Sequence, residues 1–192
     1  MFAYTGENKY FKDHLDKTYK VLEWGSGLST PQIADRVAFL VSIEHNAEWY
    51  EKIKKNMAVS KKSYDNCKLL LRPPTKGGKG ESVNIYWGEG PRKGQLKTRA
   101  GQNHYEDFKE YVDAPLNDGP FDIILIDGRA RVACASKCHL LGHKDTLVFI
   151  HDFTTSDSPY YNPGRDYYSK SLEYLEYIEN YMTMAKFKIK NL

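Results

Sequence analysis

Residues 21–31, Val-Leu-Glu-Trp-Gly-Ser-Gly-Leu-Ser-Thr-Pro, constrain the fold more than any other stretch of this chain. An apolar strand end is followed by Gly25 and Gly27, which allow the backbone to turn tightly and to approach a ligand closely. Ser29 or Thr30 is suited to cap a helix directly after this turn. The stretch therefore predicts a strand, a glycine loop and a helix whose free N–H groups face a polar or anionic ligand group.

Length and composition place limits on the class of protein. The 192 residues suit a single domain, 1–192, with a substantial core. No apolar run reaches membrane-spanning length and no signal peptide is recognisable, and three cysteines form no disulfide framework. We therefore expect a cytoplasmic protein with no membrane insertion. The net charge of +3 does not by itself favour a nucleic-acid partner.

Predicted strands and helices alternate along the chain. Five buried strands are predicted at 20–24, 38–44, 68–71, 121–126 and 146–150, and two more near 175–179 and 183–189. The last strand alternates apolar residues with lysines, which indicates one solvated face and an antiparallel edge pair. The predicted fold is α/β, a doubly wound, mostly parallel seven-stranded sheet with an antiparallel last strand.

Polar and mostly acidic residues end the strongest strands. They are Glu23, Glu44, Asp127 and the pair His151-Asp152. In open α/β sheets, ligands bind beyond the carboxyl ends of the parallel strands. The recurrence of these residues at strand ends therefore predicts a ligand site along one edge of the sheet.

The glycine loop departs from the pattern of a dinucleotide-binding unit. Such a unit has a third glycine, where this chain has Thr30, and uncharged residues before the first glycine, where this chain has Glu23. Glu44 could hold ribose hydroxyls in either class of cofactor, so it does not discriminate. No Walker-type phosphate loop is present in the sequence, because no Gly-Lys-Ser/Thr follows.

In residues 22–30, 42–45 and 121–129 the chain resembles the class I S-adenosylmethionine-dependent methyltransferases. The element order matches as well, so the resemblance covers nearly the whole chain and implies a Rossmann-like methyltransferase fold. It implies that the glycine loop contacts the methionine end of the cofactor and that Glu44 binds the ribose hydroxyls. The cofactor-binding residues expected on this basis are Glu23, Gly25, Ser26, Gly27, Ser29, Thr30, Glu44, His45 and Asp127.

The form Glu-Trp-Gly-Ser-Gly, with a His-Asp pair after the fifth strand, is similar to small O-methyltransferases that modify sugars or glycans. Some of those enzymes are encoded by large viruses of algae, often as modules beside glycosyltransferases. The resemblance therefore implies methyl transfer to a hydroxyl of a sugar or glycan acceptor. Arg129, Tyr160 and Tyr161 are candidates for contacts with that acceptor.

A hydroxyl acceptor must lose a proton during methyl transfer, which a base or a metal ion can assist. Asp127, His151 and Asp152 are the predicted catalytic residues. Asp127 and Asp152 could hold Mg²⁺ or Mn²⁺ through oxygen ligands. In the metal-free alternative, His151 is the base and a carboxylate orients it.

The sequence is also compatible with other functions. Asp127-Gly128-Arg129-Ala130 is not the Asn/Asp-Pro-Pro-aromatic motif of enzymes that methylate base amines, but ribose or cap O-methylation of a nucleic acid is an alternative. A non-catalytic nucleotide-binding module is another. An NAD-linked dehydrogenase is disfavoured by Glu23 and by the lack of room for a substrate domain.

Overall fold

The computed structural model describes residues 5–60, 62–74, 105 and 108–190. Five α-helices lie in these residues: α1 Thr5–Lys12, α2 Thr30–Ala34, α3 Ala47–Ala58, α4 Lys109–Asp113 and α5 Arg131–Leu141. The strands are β1 Lys20–Trp24, β2 Phe39–Glu44, β3 Cys67–Leu71, β4 Ile123–Ile126, β5 Leu147–Ile150, β6 Leu175–Tyr181 and β7 Met184–Ile189. A 3₁₀ helix, Pro163–Glu173, precedes β6.

The seven strands form one sheet in the order β3-β2-β1-β4-β5-β7-β6. The first five are mutually parallel, whereas β7 runs antiparallel to both β5 and β6. The strand order reverses between β1 and β4, where ligands bind in open α/β sheets. The predicted fold class is confirmed, including the antiparallel last strand.

Alternate strand residues pack on opposite faces of the sheet, as a strand's two-residue period requires. Leu22 and Trp24 of β1 pack on one face with residues of α4 and α5. Val21 packs on the other face with Phe11 of α1 and Ile33 of α2. Helices therefore cover both faces, and in the described part of the chain none of them is long and apolar enough to span a membrane.

Most predicted elements are present with small shifts in their ends. After the glycine loop the sequence predicts a short helix over 32–37, whereas α2 begins at Thr30 and ends at Ala34. The sequence predicts that Asn46 caps the next helix. Its side chain does cap α3, since it accepts a hydrogen bond from the backbone N–H of Trp49. Apolar residues alternate in 82–87, which predicts an exposed strand, and 92–99 is a predicted basic loop. Both lie outside the described residues.

Candidate active site

The glycine loop after β1 is built on a close approach between two glycines. Gly25 has a φ of +100°, and a Cβ added there would lie 2.5 Å from the backbone nitrogen of Gly128. A Cβ added at Gly128 would in turn lie 2.9 Å from the Cα of Gly25. From the sequence, Gly25 was expected to allow a tight turn and the close approach of a ligand. The structure adds that the loops after β1 and β4 touch and that neither position has space for a side chain.

The Glu23 carboxylate lies inside the glycine loop, with none of its surface exposed. Its Oε1 accepts a hydrogen bond from Ser29 Oγ at 2.9 Å, and its Oε2 accepts from Thr30 Oγ1 at 2.7 Å and Ser42 Oγ at 2.6 Å. The backbone N–H of Gly27 donates to Thr30 Oγ1 at 2.8 Å. We call Glu23 and its three hydroxyl partners the hydroxyl cluster; it fixes the loop on β1 and β2.

The structure places the side chains of Glu23, Ser29 and Thr30 away from the cavity described below. All three were predicted to contact the cofactor, but their side chains are directed into the hydroxyl cluster. Ser29 makes no side-chain cap to α2 for the same reason. Burial and, to a smaller extent, the Asp127 charge raise the pKa of Glu23, whereas the three hydroxyl donors lower it. The net result is a pKa of about 7.

A cavity of about 510 Å³ opens at the carboxyl edge of β1, β2 and β4. This volume lies within the range of roughly 300–1,000 Å³ typical of small-ligand sites. Its wall contains Gly25, Ser26, Gly27, Glu44, His45, Asn46, Glu48, Trp49, Lys52, Asp127, Gly128 and Arg129. The structure thus brings together six of the predicted cofactor-binding residues: Gly25, Ser26, Gly27, Glu44, His45 and Asp127.

The wall also contains residues that the sequence did not single out for ligand binding. The spacing of Trp49 with Tyr50 and Ile53 predicts only an apolar stripe on a helix. In the structure the indole N–H of Trp49 donates to Ser26 O at 2.7 Å. This bond links α3 to the glycine loop. Lys52, one turn further along α3, lies with its ammonium 4.4 Å from the Trp49 ring. In the sequence, only their position in the first turns of the helix after β2 could have indicated that Trp49 and Lys52 lie at the ligand site.

Glu44 ends β2 with a carboxylate held by its own loop. Its Oε1 accepts from the backbone N–H of His45 at 2.9 Å and of Asn46 at 2.7 Å. The side chain is only 3% exposed, and it lies on the cavity wall. Backbone donors therefore fix one oxygen and leave the other for hydroxyl groups of a ligand.

Asp127 and His151, at the ends of β4 and β5, are joined by a third group from α1. His151 Nδ1 donates to Asp127 Oδ1 at 2.8 Å, and His151 Nε2 lies 3.3 Å from Glu7 Oε2. Glu7 is fully buried, and its Oε1 accepts from Thr183 N at 2.7 Å and Thr183 Oγ1 at 2.5 Å. Sequence reasoning missed Glu7, because nothing local marks it among the other polar residues of α1.

The charge state of His151 follows from these contacts. Burial lowers its pKa, but hydrogen bonds to Asp127 and Glu7 and the charges of Asp127 and Asp152 outweigh that effect and raise it to about 9. The bonds to His151 and Thr183 in turn hold the pKa of Glu7 below its ordinary value, despite burial. At neutral pH both ring nitrogens are protonated donors, so this arrangement does not favour His151 as the proton acceptor.

The Arg131 guanidinium lies beside the Asp127 and Asp152 carboxylates. It donates to Gly128 O at 3.0 Å, to Asp152 Oδ2 at 3.3 Å and to the backbone oxygen of His151. It also lies 3.6 Å from Asp127 Oδ1 and 5.0 Å from the Tyr168 ring. We call Glu7, Asp127, His151, Asp152 and Arg131 the charged cluster.

Asp127, His151 and Asp152 place one candidate ligand atom each within 4.8 Å of one another, the geometry considered for Mg²⁺ or Mn²⁺. The charges of the neighbouring groups do not suit such an ion. The Arg131 guanidinium already lies against both carboxylates, and His151 is protonated at neutral pH. Protein cations therefore neutralise these carboxylates, and the group does not fit a divalent metal ion.

The candidates for acceptor binding are placed differently from one another. Arg129 is largely buried and lies on the cavity wall beside Gly128. Tyr160 and Tyr161 lie in the turn region before the 3₁₀ helix and do not line the cavity formed by the described residues. Only Arg129 is thus in place to face a ligand in this cavity.

No protein-family model and no curated protein matches the sequence. Solved structures match the fold. A methyltransferase-like protein from Silicibacter pomeroyi has a TM-score of 0.64 at 17% identity, over 98% of this chain and 87% of that protein. A tRNA methyltransferase from Aquifex aeolicus has a TM-score of 0.58 at 15% identity, over 100% and 71% of the two chains. A Streptococcus mutans protein in complex with SAH has a TM-score of 0.53 at 10% identity, over 98% of each chain. At these identities the likeness shows a shared fold.

Proposed function

We propose that this protein is an S-adenosylmethionine-dependent methyltransferase that transfers a methyl group to a hydroxyl of a sugar or glycan. The observation that carries the proposal is the cavity at the switch point of a methyltransferase-type sheet, bounded by the glycine loop, Glu44 and Asp127. Solved structures of that fold include a protein in complex with SAH, the demethylated form of the cofactor.

The cavity wall suits S-adenosylmethionine. Glu44 presents a carboxylate oxygen to ribose hydroxyls, while the backbone of His45 and Asn46 holds the other oxygen. Gly25 and Gly27 bring backbone close to the ligand without side chains in the way. When bound, the cofactor supplies an electrophilic methyl group on a sulfonium.

Within this chain, Asp127 is the residue placed to receive the acceptor's proton. It lies on the cavity wall, and in the described part of the chain its carboxylate contacts to His151 and Arg131 both involve Oδ1. Oδ2 is thereby left for an acceptor hydroxyl. The protonated His151 fixes the position of the Asp127 carboxylate. Asp127 can therefore both align the acceptor hydroxyl and accept its proton.

A nucleic acid with a ribose or cap hydroxyl is the second candidate acceptor. Lys52 and Arg129 put positive charge on the cavity wall, which suits a phosphate. A tRNA methyltransferase is among the proteins that share the fold. We favour a polyhydroxylated acceptor because the Asp127 carboxylate lies on the cavity wall, where it can accept hydrogen bonds from hydroxyl groups.

Calorimetry tests the cofactor. The wild-type protein is expected to bind S-adenosylmethionine in preference to NAD. Glu44→Gln keeps one acceptor oxygen but loses the other, so affinity is expected to fall by about tenfold or more, since hydrogen bonds to charged groups contribute about 1.5–3 kcal/mol. Glu51→Gln, an exposed residue of α3, is the matched control. Tighter binding of NAD contradicts the proposal.

An acceptor screen with labelled cofactor tests the substrate class. Glycosides, oligosaccharides and RNA oligonucleotides are compared with and without EDTA. The proposal expects label on a sugar hydroxyl, insensitive to EDTA and lost in Asp127→Asn. Label on RNA alone would establish the nucleic-acid alternative, and loss of turnover with EDTA would overturn the metal-free mechanism.

A further inference from the structure

We propose that Glu7 of α1 is a positioning residue for the acceptor end of the site, acting through His151 on Asp127. The inference rests on the proposed function, because Asp127 is the group it serves. The contact pairs α1 with the loop after β5 and spans 144 positions of the sequence.

Glu7 is held more firmly than a surface carboxylate. None of its surface is exposed, and the backbone N–H and the hydroxyl of Thr183 fix its Oε1 at 2.7 Å and 2.5 Å. Thr183 lies directly before β7, which pairs with β5. The carboxylate is thus anchored to the sheet itself, and only Oε2 is directed at His151.

The anchored carboxylate determines how the imidazole is oriented. With Nε2 facing Glu7 and Nδ1 donating to Asp127 Oδ1, the ring is bonded at both ends. Loss of the Glu7 charge removes one of the three carboxylates, with Asp127 and Asp152, that favour a proton on the ring. The ring would then be neutral over more of the pH range and could rotate away from Asp127.

Arg131 cannot replace this function. Its guanidinium meets Asp127 Oδ1 only at 3.6 Å, compared with 2.8 Å for the imidazole, and it is also bonded to Gly128 O and to Asp152. The closest hydrogen bond to the Asp127 side chain among the described residues therefore comes from His151. A carboxylate displaced by a fraction of an ångström loses its alignment with the acceptor hydroxyl and the methyl group.

The test uses Glu7→Gln, Thr183→Val and the exposed control Glu51→Gln in the full chain. For Glu7→Gln we expect turnover to fall by about tenfold or more, because misalignment lowers the rate of the chemical step. The affinity for S-adenosylmethionine is expected to stay within about twofold, because Glu7 does not line the cavity. Thr183→Val keeps the charge of Glu7 and loosens its anchor, so a smaller fall in turnover is expected.

Ring ¹⁵N NMR gives a readout that does not depend on activity. His151 is one of six histidines, and its signals are identified by their absence in His151→Gln. In the wild type both ring nitrogens should show imidazolium shifts at pH 7.5, and Glu7→Gln should move the midpoint of titration down by about one pH unit or more. Glu51→Gln should leave it unchanged.

The outcomes separate this inference from the proposed function. Unchanged ring signals and turnover in Glu7→Gln overturn the inference. A parallel loss of turnover, cofactor affinity and melting temperature also overturns it, because that pattern indicates a purely structural role. Absence of S-adenosylmethionine binding in the wild type overturns the proposed function and, with it, the positioning role, whereas the NMR titration still decides the link between Glu7 and His151.

Discussion

Glu7 and Glu23 are two fully buried carboxylates in the same protein, and they are stabilised in different ways. Glu23, in the hydroxyl cluster, bonds to the neutral side chains of Ser29, Thr30 and Ser42. Glu7, in the charged cluster, faces a protonated imidazole as well as Thr183. The pKa of Glu23 rises to about 7, whereas that of Glu7 falls.

The difference shows that burial alone does not set the charge of a carboxylate. Hydroxyl dipoles compensate part of the desolvation cost but do not supply a full opposite charge, so the proton stays bound to higher pH. A cation in hydrogen-bonding distance reverses the result. One cluster is therefore suited to fixing a loop, and the other to holding ionised groups at the carboxyl edge of the sheet.

The largest expected effect comes from removal of the cation in the charged cluster. His151→Ala leaves the Glu7 carboxylate buried opposite a void and takes the donor from Asp127. Breaking a buried ion pair in this way costs about 3 kcal/mol or more of the free energy of unfolding. Urea unfolding at pH 7 measures the loss. His139→Ala, an exposed histidine of α5, is the control and should change little.

The pH dependence of that effect has a definite sign. The pKa of His151 is about 9 in the folded state and 6.5 is its ordinary value. A raised pKa gives stabilisation that is complete below pH 6.5 and lost as the pH rises through 9. The difference between wild type and His151→Ala should therefore shrink between about pH 6.5 and pH 9. A constant difference across this window would show that His151 contributes by packing alone.

Glu23→Gln sharpens the comparison from the other side. Because the pKa of Glu23 is raised from 4.5 to about 7, folding favours its protonated form, and wild-type stability declines between these values. Gln stays neutral and lacks this decline. Relative to wild type, the variant should gain about 3 kcal/mol in free energy of unfolding between pH 4 and pH 8.

Urea unfolding at several pH values gives the measurement. Asp65→Asn, an exposed carboxylate outside both clusters, is the control. If Glu23→Gln were destabilised equally at pH 4 and pH 8, folding would not raise the pKa of Glu23, and the contrast with Glu7 would disappear.

The smallest expected effect is that of Ser42→Ala. It removes one of three hydroxyl donors to Glu23 and also the partner of Ser26 Oγ at 2.7 Å. A buried hydrogen bond of this kind contributes about 1 kcal/mol. Chemical unfolding measures the loss at pH 8, and the pKa of Glu23 should rise further, which ¹³C NMR of the carboxyl can follow. A fall in that pKa would mean that Ser42 does not donate to the carboxylate.

Local pattern was enough to predict much of this protein. The alternation of buried strands and helices, with lysines on one face of the last strand, led to the correct sheet class and to the antiparallel β7. Glu44 and Asp127 were found because they follow buried strands, and parallel strands end at the same edge. Gly25 was recognised from its loop, although its contact with Gly128 was not.

The directions and charges of side chains were decided only by the tertiary structure. Glu23 was predicted to face the ligand, but its carboxylate accepts hydrogen bonds from Ser42 on β2 and Thr30 at the start of α2. Glu7 was not noticed, because its partners His151 and Thr183 lie more than 140 positions away in the chain. The sequence determined which residues reach the sheet edge, since strand period and order are local properties. Which of them are ionised depends on neighbours that only folding brings together.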